Sequence, residues 1–132
     1  GIKDTTGNLF KKIKIDNFSY FSGTELNLLE GLKFGYAGII TANANVSASL
    51  SRKVYEDFIS KKEQTVNEKL HNIRKLFDKY NTITGLHAYL SQSDKLLENI
   101  LPPLSLLKEG DKKDLIQNLK KLDFQLTLKS VA

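Results

Sequence analysis

The chain has 132 residues, contains no cysteine and carries a formal net charge of +5. The absence of cysteine excludes a disulfide framework and thiolate chemistry, and no stretch approaches the roughly 20 apolar residues of a membrane-spanning helix. No charged segment followed by an apolar run opens the chain as a secretion signal would, so we expect a soluble protein of the reducing cytoplasm without a membrane partner.

The positive charge comes from lysine far more than from arginine, since Arg52 and Arg74 are the only arginines. Proteins that read nucleic acids rely on arginine forks for base edges and on aromatic platforms for single strands. The lysines of this chain are spread along it without interleaved aromatic residues. We therefore interpret them as solvated helix faces and expect no nucleic-acid partner, with weak, salt-sensitive phosphate binding as the alternative.

Up to about Ser60, short apolar runs alternate with helical patterns. The predicted strands lie around Ile2, from Phe18 to Ser22 and from Tyr36 to Thr41. Helices are predicted from Gly7 to Ile13, Glu25 to Phe34 and Ala48 to Ile59, with Thr24 and Ser47 as N-caps and Gly35 as a C-cap. The last of these helices would present Leu50, Val54, Tyr55 and Phe58 to a core. Strand–helix repeats of this kind predict an α/β fold with parallel strands and right-handed crossovers.

From Lys61 onward the strand signals stop, and the pattern predicts helices alone. The spacing of Val66, Leu70, Ile73 and Phe77 predicts one amphipathic helix from Lys62 to Tyr80. A break follows at Asn81–Thr84, then short helices at Gly85–Ser91 and Asp94–Ile100, an extended segment at Pro102–Pro103 and a last helix from Lys112 to Leu122. We therefore predict two regions, a mixed one over 1–60 and a helical one over 61–132.

Three segments carry a resemblance to a known family. They are Gly1-Ile2-Lys3-Asp4-Thr5-Thr6-Gly7, Tyr20-Phe21-Ser22-Gly23-Thr24-Glu25 and Gly38-Ile39-Ile40-Thr41-Ala42-Asn43-Ala44-Asn45-Val46. Together they resemble the dihydrodipicolinate synthase and N-acetylneuraminate lyase family, pyruvate-handling class I aldolases built on a (β/α)8 TIM barrel. The resemblance covers most of the chain, at the spacing of barrel strands six to eight.

The resemblance implies that residues 1–60 are barrel units six to eight, that 61–132 are the C-terminal helical region, and that the first five units are absent. Length agrees with this reading, because a complete barrel needs at least about 200 residues. A truncated gene, a cloning choice and proteolysis are all open as its origin.

Lys3 is the residue to which the resemblance assigns the chemistry. A lysine amine attacks a ketone only when it is neutral, and burial or a neighbouring cation favours the neutral form. The resemblance implies that Lys3 forms a Schiff base with C2 of pyruvate or another 2-keto acid, and that the derived enamine adds to a small aldehyde. The alternative is that Lys3 is an ordinary charged residue near the start of the chain.

The same resemblance implies substrate-binding roles at the strand ends for Thr5, Gly23, Glu25, Ile40 and Thr41. Three of these have a plainer interpretation: a turn hydroxyl for Thr5, a turn glycine for Gly23, and a first-turn helix carboxylate for Glu25. Leu26 replaces an acidic residue that sialic-acid lyases use, which argues against sialic acid as the substrate.

His71 and His87 lack partners at metal-ligand spacing, so we expect neither a metal nor a cofactor. The family's carboxylate-binding hydroxyl pair and its proton-relay tyrosine have no counterpart in the chain, because Tyr20, Tyr36 and Tyr55 occupy other positions. The expected function is therefore that of a fragment of a Schiff-base aldolase or lyase, inactive alone. Its parent would be of the 4-hydroxy-tetrahydrodipicolinate synthase or 2-keto-3-deoxygluconate aldolase type.

A noncatalytic half-barrel that serves assembly is the alternative function. In either case the unpaired edges of a partial barrel predict a homo-oligomer.

Overall fold

The computed structural model describes residues 1–7, 9 and 12–125, and it shows a mixed α/β chain. Three residues of the predicted helix from Gly7 to Ile13, at positions 8, 10 and 11, lie outside the described residues. The strands are β1 (Ile2–Asp4), β2 (Tyr20–Ser22) and β3 (Gly38–Ile39), and the α-helices are α1 (Leu28–Lys33), α2 (Ala44–Ile59), α3 (Asn67–Lys79), α4 (Thr82–Leu90) and α5 (Glu109–Lys121). The chain divides into two compact units, Gly1–His71 and Asn72–Ala132, whereas the boundary after residue 60 stays a prediction.

The sheet of the first unit is parallel throughout, with strand order β1-β2-β3. Lys3 is in register with Phe21 and Asp4 with Ser22, while Ser22 is also in register with Ile39. The predicted parallel pairing is therefore confirmed. Since all three strands run the same way, their carboxyl ends meet at one edge of the sheet.

The first helical segment confirms both predicted caps. The Thr24 hydroxyl accepts a hydrogen bond from the Leu26 amide at 3.3 Å, and a 3-10 helix, Glu25–Asn27, leads into α1. Gly35 follows α1 with φ +88°, a left-handed conformation in which glycine carries no Cβ penalty. These local signals define the crossover between β2 and β3.

The range of α2 contains two helical segments that meet at a kink at Ser47, where φ −116° and ψ 17° are not helical. The longer segment therefore begins after Ser47, as predicted, and a short helical turn from Ala44 precedes it. The Ser47 hydroxyl donates to the carbonyl of Asn43 at 2.9 Å, a bond that a serine inside a helix commonly makes to the preceding turn. The strand ahead of the helix is also shorter than predicted, Gly38–Ile39 instead of Tyr36–Thr41.

The core of the first unit lies between α1, α2 and the start of α3. Its fully buried members are Leu28, Leu32, Val54 and Leu70, and the half-buried side chains packed against them are Leu29, Ile39, Leu50, Tyr55, Phe58 and Val66. The inward face predicted for α2 is therefore confirmed. This apolar core includes Ile39 of β3. The edge formed by the carboxyl ends of the strands carries polar groups instead.

The second unit has its own core, formed by Ile73, Phe77, Leu86, Tyr89, Leu115, Leu119 and Phe124. The break predicted at Asn81–Thr84 is present at Asn81 but shorter, because α4 begins at Thr82 and the Asn81 side chain caps it by accepting from the Thr84 amide at 3.4 Å. Helix α5 begins three residues before the predicted Lys112. Pro102–Pro103 forms a turn and not the predicted extended segment. None of the helices in the described ranges is long and apolar enough to cross a membrane.

Candidate active site

The candidate site lies at the edge where the three parallel strands end. Lys3 belongs to β1, Gly23 directly follows β2, and Ile40 and Thr41 directly follow β3. In parallel α/β proteins this edge is where loops carry catalytic and binding groups. The sheet topology therefore brings together three segments that are far apart in the sequence.

Lys3 and Thr5 form the first pair of the site. Alternation along the strand places both side chains on one face, and the Lys3 Nζ donates to the Thr5 Oγ1 at 3.2 Å. Both residues are exposed. The described residues thus hold the amine next to a hydroxyl but supply no apolar covering for it.

Asp4 is a site residue that the sequence analysis missed. Only 4% of its surface is exposed, and its carboxylate accepts hydrogen bonds from the backbone N–H groups of Thr6 and Leu9 and from the Tyr36 hydroxyl. Burial alone raises the pKa of Asp4, but these hydrogen bonds outweigh it and hold the pKa far below its ordinary value of 3.8. An aspartate followed by threonine and glycine is typical of a turn closed by the carboxylate, and this signal could have identified it.

Gly23 lies where the ends of β1 and β2 come closest. A Cβ atom at Gly23 would lie 2.6 Å from the Thr5 Oγ1 and 2.8 Å from the Thr5 Cα, and the Gly23 amide donates to the Asp4 carbonyl at 2.7 Å. Glycine is needed here because any side chain would separate the two strand ends. The position next to Thr5 is compatible with both the substrate-binding and the turn interpretation of Gly23.

Glu25 and Thr41 form the second pair. Glu25 is fully buried, and the Thr41 hydroxyl donates to its Oε1 at 2.7 Å. The same hydroxyl accepts from the Asn43 amide at 3.1 Å and so helps to start α2. The pair therefore ties the loop after β2 to the loop after β3, while Ile40 is 51% exposed beside it.

Asn43, in the third segment that carries the resemblance, is fully buried. Neither atom of its side-chain amide hydrogen bonds to another described residue. Buried polar groups are nearly always paired, so each exception in a native protein calls for an explanation, a functional role being one. No sequence signal distinguishes this asparagine from Asn45, whose side chain caps locally on the Ala42 carbonyl at 2.8 Å.

The histidines take no part in this site. The Nδ1 of His87 lies 2.7 Å from the Leu97 carbonyl oxygen, a distance at which the ring holds a neighbouring turn. Over the described ranges, no group of three or more histidine, aspartate or glutamate side chains is arranged to hold a metal ion.

Comparison with known proteins adds evidence independent of the site geometry. A model of the dihydrodipicolinate synthetase family matches residues 1–122. The 4-hydroxy-tetrahydrodipicolinate synthase of Archaeoglobus fulgidus is 34% identical over 83 residues, which cover 59% of this chain and 29% of that protein.

Solved structures agree in fold. Proteus mirabilis N-acetylneuraminate lyase matches with a TM-score of 0.74 and 17% identity, over 88% of this chain and 41% of that one. Dihydrodipicolinate synthase from Agrobacterium tumefaciens matches with a TM-score of 0.73 and 18% identity, over 91% of this chain and 42% of that one. The chain thus spans less than half the length of these relatives and shares the fold of part of their barrels. With a family model that matches almost all of its residues, the chain belongs to the dihydrodipicolinate synthetase family.

Proposed function

We propose that this chain is the C-terminal portion of a pyruvate-dependent class I aldolase or lyase, with barrel units six to eight in residues 1–60 and Lys3 as the Schiff-base nucleophile. The observation that carries the proposal is the position of Lys3 at the carboxyl end of a parallel strand, with the Thr5 hydroxyl 3.2 Å from its Nζ. An amine at this edge, next to a group that can exchange a proton with it, is suited to carbonyl chemistry.

The proposed step is a condensation. The neutral Lys3 amine attacks C2 of pyruvate, a C–N bond forms, and the carbonyl oxygen leaves as water after taking up two protons. Loss of a methyl proton from the resulting imine gives an enamine, which adds to the carbonyl carbon of an aldehyde. Hydrolysis then releases the product and restores the amine. Thr5 is suited to help the oxygen leave, because its hydroxyl both donates and accepts hydrogen bonds.

Two substrate specificities are compatible with the chain. The curated relative is a 4-hydroxy-tetrahydrodipicolinate synthase, and a 2-keto-3-deoxygluconate aldolase type is equally compatible with the quoted segments. Leu26 cannot accept hydrogen bonds from the hydroxyls of a sialic acid, which disfavours an N-acetylneuraminate lyase. Cytoplasmic location and homo-oligomeric assembly are parts of the same proposal.

The proposal predicts that borohydride traps pyruvate on Lys3. Peptide mass mapping after reduction should find N-carboxyethyl-lysine at position 3 well above its level at the exposed lysines elsewhere. Lys3→Ala should remove this product, whereas Lys14→Ala, a matched change at another exposed lysine of the first unit, should leave it unchanged. Equal trapping at all exposed lysines would show that Lys3 has no special reactivity.

Glu25 gives a second prediction, for a complete barrel that contains this segment. Glu25→Gln should lower kcat/KM for hydroxylated acceptor aldehydes about 10-fold, because a buried carboxylate discriminates through the hydroxyls it pairs with. Imine trapping with pyruvate should change less than twofold, since we assign Glu25 to the acceptor side. Glu30→Gln, on the exposed face of α1, is the control. Equal losses in trapping and in acceptor discrimination would assign Glu25 to the fold.

The alternative function is a noncatalytic half-barrel that serves assembly. The exposure of Ile2 (42%) and Ile40 (51%) at the two outer strands favours it, since exposed apolar groups at unpaired sheet edges are typical of association surfaces. The trapping experiment separates the two functions, because an assembly module needs no reactive lysine.

A further inference from the structure

The turn that follows β1 is organised around one buried carboxylate, and we propose that Asp4 is the positioning residue for the Lys3–Thr5 pair. In this role Asp4 touches neither substrate nor the reacting atoms, but fixes the backbone that carries the Thr5 hydroxyl to the amine. The inference rests on the proposed function of Lys3, and its experiment includes a readout that does not depend on aldolase chemistry.

The geometry around Asp4 is that of a closed turn. Its Oδ1 accepts from the Thr6 amide at 2.9 Å, from the Thr6 hydroxyl at 2.6 Å and from the Gly7 amide at 3.2 Å. Its Oδ2 accepts from the Leu9 amide at 2.9 Å. One carboxylate thus satisfies three backbone donors of the chain that follows Lys3, and each of these bonds fixes the path of the turn.

A fifth hydrogen bond connects this turn to the far side of the sheet. The Tyr36 hydroxyl, on the approach to β3, donates to the Asp4 Oδ2 at 2.7 Å. The Tyr36 ring is itself held by stacking on Tyr20 of β2, with ring centroids 5.7 Å apart. The Asp4 carboxylate of β1 is therefore bonded to the segment before β3, and through the Tyr36 ring this contact is supported by Tyr20 of β2.

Thr5 has little freedom within this arrangement. On one side of it the Asp4 carbonyl accepts from the Gly23 amide at 2.7 Å, and on the other side Thr6 is bound to the Asp4 carboxylate. The close contact with Gly23 described above limits the Thr5 side chain from a third direction. Because strand residues alternate in direction, Asp4 faces away from Lys3 while it controls the residue that contacts the amine.

Only a carboxylate can fill this role completely. Both Asp4 oxygens accept and neither donates, whereas an asparagine amide would present an NH₂ group to at least two of the five donors among the described residues. The strong lowering of the Asp4 pKa agrees with a carboxylate that stays ionised in the folded chain.

The test compares Asp4→Asn with Asp57→Asn. Asp57 is also a buried carboxylate, 2% exposed and paired with Lys53 on α2, so both substitutions remove one buried negative charge from the first unit. Borohydride trapping of pyruvate at Lys3 should fall about 10-fold in Asp4→Asn, as expected when a reacting group is displaced. It should stay within twofold of the original chain in Asp57→Asn. Tyr36→Phe, which removes one of the five donors, should give an intermediate loss.

A second readout in the same samples is competitive acetylation with acetic anhydride, which reports the rate at Lys3 relative to the exposed Lys113. We expect this ratio to change at least about twofold in Asp4→Asn, because the Lys3–Thr5 hydrogen bond is lost, and to stay constant in Asp57→Asn. If the original chain shows no selective trapping, the proposed function fails. The acetylation ratio of Lys3 to Lys113 still tests whether Asp4 positions the Lys3–Thr5 pair. A ratio unaltered by Asp4→Asn, or altered equally by Asp57→Asn, would overturn the inference.

Discussion

Aldol turnover by the 132-residue chain alone is expected to be at least about 10³-fold slower than turnover by a full-length member of the family, because orientation and electrostatic stabilisation supply most of an enzyme's rate enhancement. Of the groups that the resemblance assigns to the chemistry, the chain holds the nucleophile but neither the carboxylate-binding hydroxyls nor the proton-relay tyrosine. The hydroxyl groups of Tyr36 and Tyr20 already make other hydrogen bonds. The Tyr36 hydroxyl is bound to buried Asp4, and the Tyr20 hydroxyl accepts from the Ile15 amide at 3.1 Å.

The measurement is a coupled assay of aldol cleavage and condensation. The Archaeoglobus fulgidus 4-hydroxy-tetrahydrodipicolinate synthase serves as the full-length reference, and Lys3→Ala gives the background rate. Turnover comparable to the reference that disappears with Lys3→Ala would contradict the prediction. Trapping without turnover is the expected combination, since imine formation needs the amine while the complete cycle needs the other groups as well.

Self-association is the second large effect that we expect. The three-stranded sheet ends at β1 on one side and at β3 on the other, and parallel strands are stable mainly when both edges and both faces are covered. The exposed side chains at these edges include Ile2 and Ile40. A dimer that joins two such sheets would cover both. Tyr20 of β2 is not available for such a contact, because it is already buried against Tyr36 and Phe18.

Sedimentation equilibrium at tens of micromolar protein measures this directly. Ile40→Lys should shift the distribution towards monomer, because a charge at a sheet edge disfavours pairing. Ile59→Lys is the matched control, since Ile59 is 59% exposed at the end of α2. A monodisperse monomer that binds no hydrophobic dye would show that the chain covers its edges internally and that the half-barrel interpretation is wrong.

Helical periodicity was the most reliable guide to the fold. The spacing of Leu70, Ile73 and Phe77 predicted one inward face, and all three side chains are fully buried. Such a pattern is encoded locally, because residues three and four apart share a helix face whatever they pack against. The Thr24 cap was predictable for the same reason, since its hydrogen bond spans two residues.

Element boundaries that depend on distant contacts were not predictable. The short helical turn from Ala44 that precedes the main part of α2 follows a hydrogen bond from the Asn43 amide to the Thr41 hydroxyl, which itself donates to Glu25, 16 residues away. The sequence contains no signal for this, since the Glu25–Thr41 pair forms only after β2 and β3 are side by side.

The candidate site likewise contains features that follow from local spacing and contacts that depend on distant residues. The proximity of Lys3 and Thr5 follows from a spacing of two on a strand, which the sequence shows directly. The turn that the Asp4 carboxylate closes has a local signal in the sequence, whereas its hydrogen bond to Tyr36, 32 residues away, has none. The burial of Asn43 was not predictable either, because burial of an unpaired amide cannot be read from composition.

Gly31 links the packing of a helix to the strand that carries the amine. A Cβ atom added to this buried glycine of α1 would lie 3.1–3.3 Å from three atoms of the Tyr36 side chain. That contact is tighter than ordinary van der Waals distance, and the Tyr36 ring ends in the hydroxyl that holds Asp4. The close packing of α1 at Gly31 therefore fixes the position of the Tyr36 hydroxyl relative to Asp4. Natural variation at position 31 would be expected to covary with the aromatic residue at 36 and the acid at 4.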